Sequence, residues 1–238
     1  MAKAIDPRWR RNREHLQKYQ GRYSGERCFI LGNGPSLRST NLGLLQDEFT
    51  FGLNRIYLLF PELGFTTTYL VSVNGLVLEQ FTEDIVELGL PKFLTWRARS
   101  WFRDDPNVLW IDTDYTGDET FTVEIIDRIY EGYTVTYVAL QLAYCMGFSE
   151  VILIGVDHSF QTKGEPNVTV TSQGDDPNHF APDYFGKGAK WQLPDLEGSE
   201  RAYRLAHRAY EAVGRRILDA TIGGKLTVFP KVDYYDLF

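Results

Sequence analysis

The apolar residues of this chain come largely in short unbroken runs separated by turn-forming sequence. Cys28-Phe29-Ile30-Leu31 sets the pattern, and a run without polar alternation is what a strand covered on both faces of a parallel sheet requires. Similar runs follow at Thr50-Phe51-Gly52-Leu53, Tyr69-Leu70-Val71-Ser72-Val73, Phe93-Leu94-Thr95, Val108-Leu109-Trp110-Ile111 and Val151-Ile152-Leu153-Ile154, with a last strand over Arg216 to Ala220. Helical or turn-rich sequence lies between them, and this alternation predicts βα units and an α/β fold.

Helical periodicity marks three longer stretches. Residues 7–20 read as an amphipathic helix joined by the hinge Gly21 to Gly25 to the body of the chain. Thr134-Val135-Thr136 offers a capping hydroxyl to an apolar helix over Tyr137 to Met146, which Gly147 stops. Ser199 to Val213 carries a helical pattern through Ala202, Leu205, Ala206, Ala209 and Val213, closed by Gly214. From Ser159 to Glu197 the chain turns polar and loses its period. An irregular segment of that length reads as a lid, and Phe180, Tyr184, Phe185 and Trp191 give it apolar surface to pack with.

The predicted architecture is a single Rossmann-like α/β domain, a mostly parallel sheet flanked by helices, with a long irregular lid at about 158–197. In this reading residues 1–25 are an N-terminal helix and hinge, and 26–238 the α/β body. A chain of 238 residues, 43% apolar and 24% charged, suits one core of this kind. The net charge of −7 argues against nucleic acid as a partner, because counterion release needs a basic face. The basic run Arg8-Trp9-Arg10-Arg11-Asn12-Arg13 reads as a solvated helix face. Trp9, Leu16 and Tyr19 beside it leave room for a peripheral contact with an anionic membrane or a second subunit. The aromatic tail Tyr234-Tyr235-Asp236-Leu237-Phe238 is another contact element for an oligomer. Cys28 and Cys145 fall in a predicted strand and helix, as small buried hydrophobes, and fit a reduced cytoplasmic setting. No apolar stretch approaches a transmembrane span, and no signal peptide is evident.

Candidate chemistry gathers where strands end. Gly32-Asn33-Gly34-Pro35-Ser36 follows the first strand, where glycines admit a ligand close to the backbone and a helix start would favour an anion. Ser36 can cap that helix, and Asn33 can meet a base, ribose or phosphate. The spacing departs from the dinucleotide fingerprint, having no third glycine, and a plain strand-to-helix turn explains it equally well. Asn54 and Asn74 also follow predicted strands. Each can simply serve a tight turn, but with Asn33 they would converge on one edge of a parallel sheet. Gly155-Val156-Asp157-His158 sits in a strand-end loop, where α/β sheets place ligands. Asp157 is either a loop cap or a carboxylate for nucleotide-bound Mg²⁺. Asp104-Asp105 and Asp175-Asp176 read as solvated loop charges.

Taken together, Gly32-Asn33-Gly34-Pro35-Ser36, Leu53-Asn54-Arg55, Val73-Asn74, Thr134 and Thr136, Gly155-Val156-Asp157 and Asn178-His179-Phe180 resemble, in order, bacterial CMP-sialic-acid-dependent sialyltransferases. They are more similar still to the MptE-like domain family, which includes motility accessory factors and 6-hydroxymethylpterin diphosphokinase. Ala220-Thr221-Ile222-Gly223-Gly224-Lys225-Leu226 and Phe229-Pro230 also look MptE-like, so the resemblance spans roughly residues 26–231. It implies a transferase that takes a CMP-activated nonulosonic acid as donor and a glycan or small molecule as acceptor, by direct displacement and without a required cofactor. On that likeness Gly32, Asn33, Gly34, Pro35, Ser36, Asn54, Asn74, Thr134, Thr136, Gly155, Val156 and Asp157 hold the nucleotide, and His179 removes the acceptor proton. The sialyltransferase tyrosines that steady the leaving phosphate are replaced here by Asp157-His158-Ser159-Phe160, with no tyrosine until Tyr184. His158, Lys187 or Lys190 would take over that role. The diphosphokinase members imply the alternative, ATP with Mg²⁺ on Asp157; a non-catalytic nucleotide-binding protein is a third reading.

Overall fold

The computed structural model describes residues 6–238 apart from 103–104, 117–118 and 163. In chain order its strands are β1 (Arg27–Leu31), β2 (Phe49–Leu53), β3 (Tyr69–Ser72), β4 (Lys92–Thr95), β5 (Val108–Ile111), β6 (Thr113–Asp114), β7 (Ile129–Tyr130), β8 (Glu150–Ile154), β9 (Thr169–Thr171), β10 (Lys190–Gln192) and β11 (Arg216–Asp219). The helices are α1 (Pro7–Gln17), α2 (Phe60–Leu63), α3 (Gly75–Gln80), α4 (Thr82–Glu87), α5 (Val135–Met146) and α6 (Leu196–Glu211). Seven strands form one sheet in the order β11-β8-β1-β2-β3-β4-β5, and every neighbouring pair in it is parallel.

Burial on both faces explains the unbroken apolar runs. On β1, Cys28 and Ile30 join the core under α5 and α6, while Phe29 and Leu31 join the core on the opposite face. On β8, Val151 and Leu153 divide from Ile152 and Ile154 in the same way. Helix α5 is buried nearly all round, which is why its sequence is apolar without a polar stripe. Thr134 caps it by accepting from Thr136 N, and Gly147 ends it at φ 96°, where a side chain would be strained.

Helix α1 starts at Pro7 behind the Asp6 cap and ends at Gln17, three residues before the periodicity suggested. Its apolar strip is spent within the chain. Trp9 is 5% and Leu16 1% exposed, so that strip is not free to meet a membrane or a subunit. Between them Asn12 donates to the Trp110 carbonyl and accepts from Trp110 N, each at 2.6 Å. One asparagine thus completes hydrogen bonds that the edge strand β5 would otherwise leave open.

Three further expectations change. Helix α6 begins at Leu196 behind an Asp195 cap, because Gly198 and Ser199 in its first turn hide the apolar period there. The lid contains a small antiparallel pair, β9 with β10, and its aromatic residues are buried, with Phe185 stacked on Trp191 at 5.7 Å. Asp105 is not a solvated charge; it lies 2.8 Å from the ammonium of the fully buried Lys92. Asp104 lies outside the described residues. Among the described residues no helix is long and apolar enough to cross a membrane. Both cysteines are buried free thiols, and burial pushes each well above its ordinary pKa.

Candidate active site

The sheet runs from β1 one way to β5 and the other way through β8 to β11, so its order reverses between β1 and β8. Crevices for ligands open at such reversals, beyond the carboxyl ends of the strands. Here those ends carry the Gly32 and Gly155 turns.

The two turns are locked together. Gly32 N donates to the Ile154 carbonyl at 2.8 Å and Gly34 N to the Gly155 carbonyl at 2.9 Å. A Cβ on Gly32 would lie 2.7 Å from the Gly155 carbonyl carbon, and one on Gly34 would overlap the Asp157 carboxylate, 2.5 Å from its Cγ. The glycines are therefore required first by the approach of one turn to the other. Beyond Pro35 the chain makes only a short 3-10 turn, Pro35–Ser39, and not the α-helix expected. Ser36 donates to Asp157 twice, from N at 3.1 Å and from Oγ at 2.7 Å. Burial raises the Asp157 pKa above its ordinary value, and the Ser36 bonds oppose that rise. The Ala220 to Leu226 tail supports the same corner: Val156 N donates to Thr221 Oγ1, and Lys225 N donates to the Asp157 carbonyl.

The helix start that opens on the cleft is that of α5. A cavity of about 160 Å³ is bounded by Gly32, Asn33, Gly34, Gly155, Val156, Asp157 and His158 on one side, and by Tyr133, Thr134, Val135 and Thr136 on the other. Asn178, His179, Ser199 and Tyr203 close it. Among the described residues that line it, none is Lys or Arg, and Asp157 is the one carboxylate. Lys187 and Lys190, offered by sequence for the leaving phosphate, line neither this cavity nor its neighbours. Two tyrosines that the sequence did not single out do so. Tyr203 is buried on α6 with its hydroxyl 3.5 Å from Thr134 Oγ1, and Tyr133 stands at φ 64° just before α5.

The three asparagines meet around an adjoining cavity of about 130 Å³ that also includes His179. Each has a structural duty. Asn54 holds a left-handed turn at φ 48° and accepts from Ser72 Oγ. Asn74 caps α3 through Leu76 N and Val77 N. Asn33 donates from Nδ2 to the Leu53 carbonyl at 3.0 Å, which leaves its Oδ1 buried with no partner. A buried acceptor left bare costs about 1–3 kcal/mol, and such an atom at the wall of a cleft is explained by a ligand donor. A third cavity, about 730 Å³, continues past Asn54 and Asn74 to Arg97, Glu131 and Tyr115. Its two charged residues pair with each other at 2.6 Å.

His179 sits where the first two cavities join. Its ring stacks on Tyr184 at 4.1 Å with 2° between planes, and Phe185 and Trp191 meet it edge-on. Tyr184 is thus a buried platform for the histidine. Asp176, expected in solvent, is buried and lies 2.8 Å from His179 Nδ1, whereas Asp175 is exposed. Phe180 N donates to the Asn33 carbonyl, so the lid is tied directly to the Gly32 turn. His158 stands at φ 53° with Nε2 3.1 Å from Glu200, whose carboxyl the His158 hydrogen bond holds below its ordinary pKa.

With this geometry in place, comparisons add the following. The family model described as 6-hydroxymethylpterin diphosphokinase MptE-like matches residues 7–163. Among curated proteins no sequence matches. The fold is similar to that of the MAf glycosyltransferase from Magnetospirillum magneticum AMB-1, with a TM-score of 0.56 and 15% identity over 95% of this chain. The chain spans 38% of the length of that protein.

Proposed function

The chain belongs to the MptE-like family, and from that premise we propose that it is a nucleotide-sugar-dependent glycosyltransferase whose donor is a CMP-activated nonulosonic acid. The carrying observation is the charge of the cleft. A nucleoside triphosphate brings several negative charges that phosphoryl-transfer sites meet with Lys, Arg and carboxylate-held Mg²⁺. The described lining of the first cavity has no Lys or Arg, and both oxygens of Asp157 already accept from Ser36. Those residues do not fit the Mg-ATP alternative. A single phosphodiester is a lighter demand. The α5 start, with Thr134 and Thr136, offers backbone N–H groups, hydroxyls and the positive end of a twelve-residue helix, with no acidic residue in its first turn.

In this reading Asn33, Asn54 and Asn74 hold the nucleoside, and the Asn33 Oδ1 gains the donor it lacks. Tyr203, which lines the same cavity, would offer its hydroxyl to the departing phosphate. His179 accepts the acceptor proton. The glycosyltransferase named among the fold relatives supports the reaction class. The test is calorimetric titration of the purified chain with CMP and with ATP, each with and without Mg²⁺. CMP binding that is indifferent to Mg²⁺ and tighter than ATP binding is expected. Mg²⁺-dependent preference for ATP would refute the proposal.

A further inference from the structure

The bonds around His179 decide which of its ring nitrogens carries the proton. Asp176 Oδ2 lies 2.8 Å from Nδ1, while Oδ1 accepts from Asn178 N at 3.0 Å. The Asp176 N–H donates to the Pro182 carbonyl at 2.7 Å, which pins the backbone. The Asp176 side chain is only 5% exposed, so the carboxylate has no alternative partner in water. An ionised carboxylate accepts and cannot donate, so Nδ1 must bear the hydrogen. Nε2 has no partner among the described residues and is not fully buried, on a residue that lines both cavities. The stack on Tyr184 opposes rotation of the ring.

We infer that Asp176 is the positioning residue of this site: it holds His179 in the Nδ1–H tautomer, so that Nε2 presents its lone pair to an acceptor hydroxyl. The inference rests on the glycosyltransferase reading. As the acceptor oxygen bonds to the anomeric carbon, the bond from that carbon to the phosphate oxygen breaks and CMP leaves with the electron pair. The hydroxyl proton ends on Nε2, and the resulting imidazolium is met by the Asp176 charge.

The Asn178 N–H makes the test sharp. In Asp176→Asn that N–H still needs an acceptor, so the amide oxygen stays with Asn178 and the amide nitrogen faces His179. Nδ1 must then accept, and the proton moves to Nε2. Asp176→Ala imposes neither tautomer. The readout is ¹⁵N NMR of histidine-labelled protein at about pH 8.5, two units above the ordinary imidazole value, with the His179 signal assigned by its loss in His179→Gln. Wild type should show Nδ1 protonated, Asp176→Asn should show Nε2 protonated, and Asp176→Ala a mixture. In turnover, Asp176→Asn should lose on the order of 10³–10⁴ in kcat with donor KM little changed, the scale seen when an orienting aspartate is amidated in a serine protease. The isosteric Asn variant should be worse than the Ala variant, an order that a packing role would reverse. Retention of the Nδ1–H tautomer in Asp176→Asn, or higher turnover in Asn than in Ala, would overturn the inference. The tautomer is read without substrate, so it fails or stands apart from the proposed reaction. Unchanged turnover in His179→Ala would sink the base assignment instead.

Discussion

Gly34→Ala tests whether the two strand-end turns form one interlocked unit. The added methyl would overlap the Asp157 carboxylate, 2.5 Å from Cγ and 2.9 Å from the Gly155 carbonyl oxygen. Asp157 has to swing away, and it then loses the bonds from Ser36 N and Oγ. Overpacking of this kind costs about 1–3 kcal/mol, and each hydrogen bond to a charged group is worth about 1.5–3 kcal/mol. Relief of a buried carboxylate offsets part of that loss, so the expected destabilisation is about 3 kcal/mol. Asp157→Ala removes the same two bonds together with the burial penalty and should cost about 2 kcal/mol. In the double variant the methyl enters space that the carboxylate has vacated. The two changes should then sum to about 3 rather than about 5 kcal/mol, a coupling within the usual range for residues in contact. Urea unfolding reads this directly, because with a slope near 3 kcal/mol per molar a loss of about 3 kcal/mol moves the midpoint by roughly 1 M. Additivity within about 0.5 kcal/mol would show that the turns do not bear on each other, and the account of the glycines would fall.

Asp157 and Lys92 supply two further predictions. Burial raises the Asp157 pKa above its ordinary 3.8, so between that value and the raised one the folded state binds more protons than the unfolded state. Stability from this group is full below 3.8 and is lost as pH rises through the folded value; Asp157→Asn, with Ser36 still satisfied, should remove that falling slope in urea midpoints measured from pH 3.5 to 7. Asp105→Asn leaves the fully buried Lys92 ammonium, which also donates to the Leu88 carbonyl, without a counter-charge, and should cost about 3–5 kcal/mol in thermal or urea unfolding. Adding Lys92→Met should recover most of that loss, and failure to recover would mean that Asp105 matters for something other than the pair.

Much of the fold was legible because a strand covered on both faces has no reason to alternate. The runs at β1, β2, β3, β4, β5 and β8 were visible for that reason, and the reversal between β1 and β8 fell where the glycine turns stood. The parts that escaped were short or locally ambiguous. Each of β9 and β10 has one apolar residue in three, Val170 and Trp191, which no periodicity can register. The α6 start was hidden because capping by Asp195, not apolar spacing, fixes it.

The site divides along a different line. Residues held by their own turn, such as Asn54, Asn74 and Thr134, betray themselves through local backbone needs, and those needs placed them on one rim. Asp176 and Tyr203 have no such local mark. A carboxylate beside Asp175 reads as solvent, and a tyrosine at a helical period reads as core; only packing of the lid and of α6 against the sheet turns one into a partner of His179 and the other into a wall of the cleft. That division has a chemical consequence. On the proposed function, the locally legible residues supply the neutral dipoles that would grasp a nucleoside with one phosphate. The residues suited to moving charge, an orienting carboxylate and a phenolic hydroxyl, come from segments far along the chain that reach the rim only when the fold is complete. CMP binding read by calorimetry should therefore survive Asp176→Asn, which impairs turnover, since Asp176 belongs to the lid and lines neither cavity while Asn33, Asn54 and Asn74 sit in the turns after β1, β2 and β3 and Thr134 caps α5.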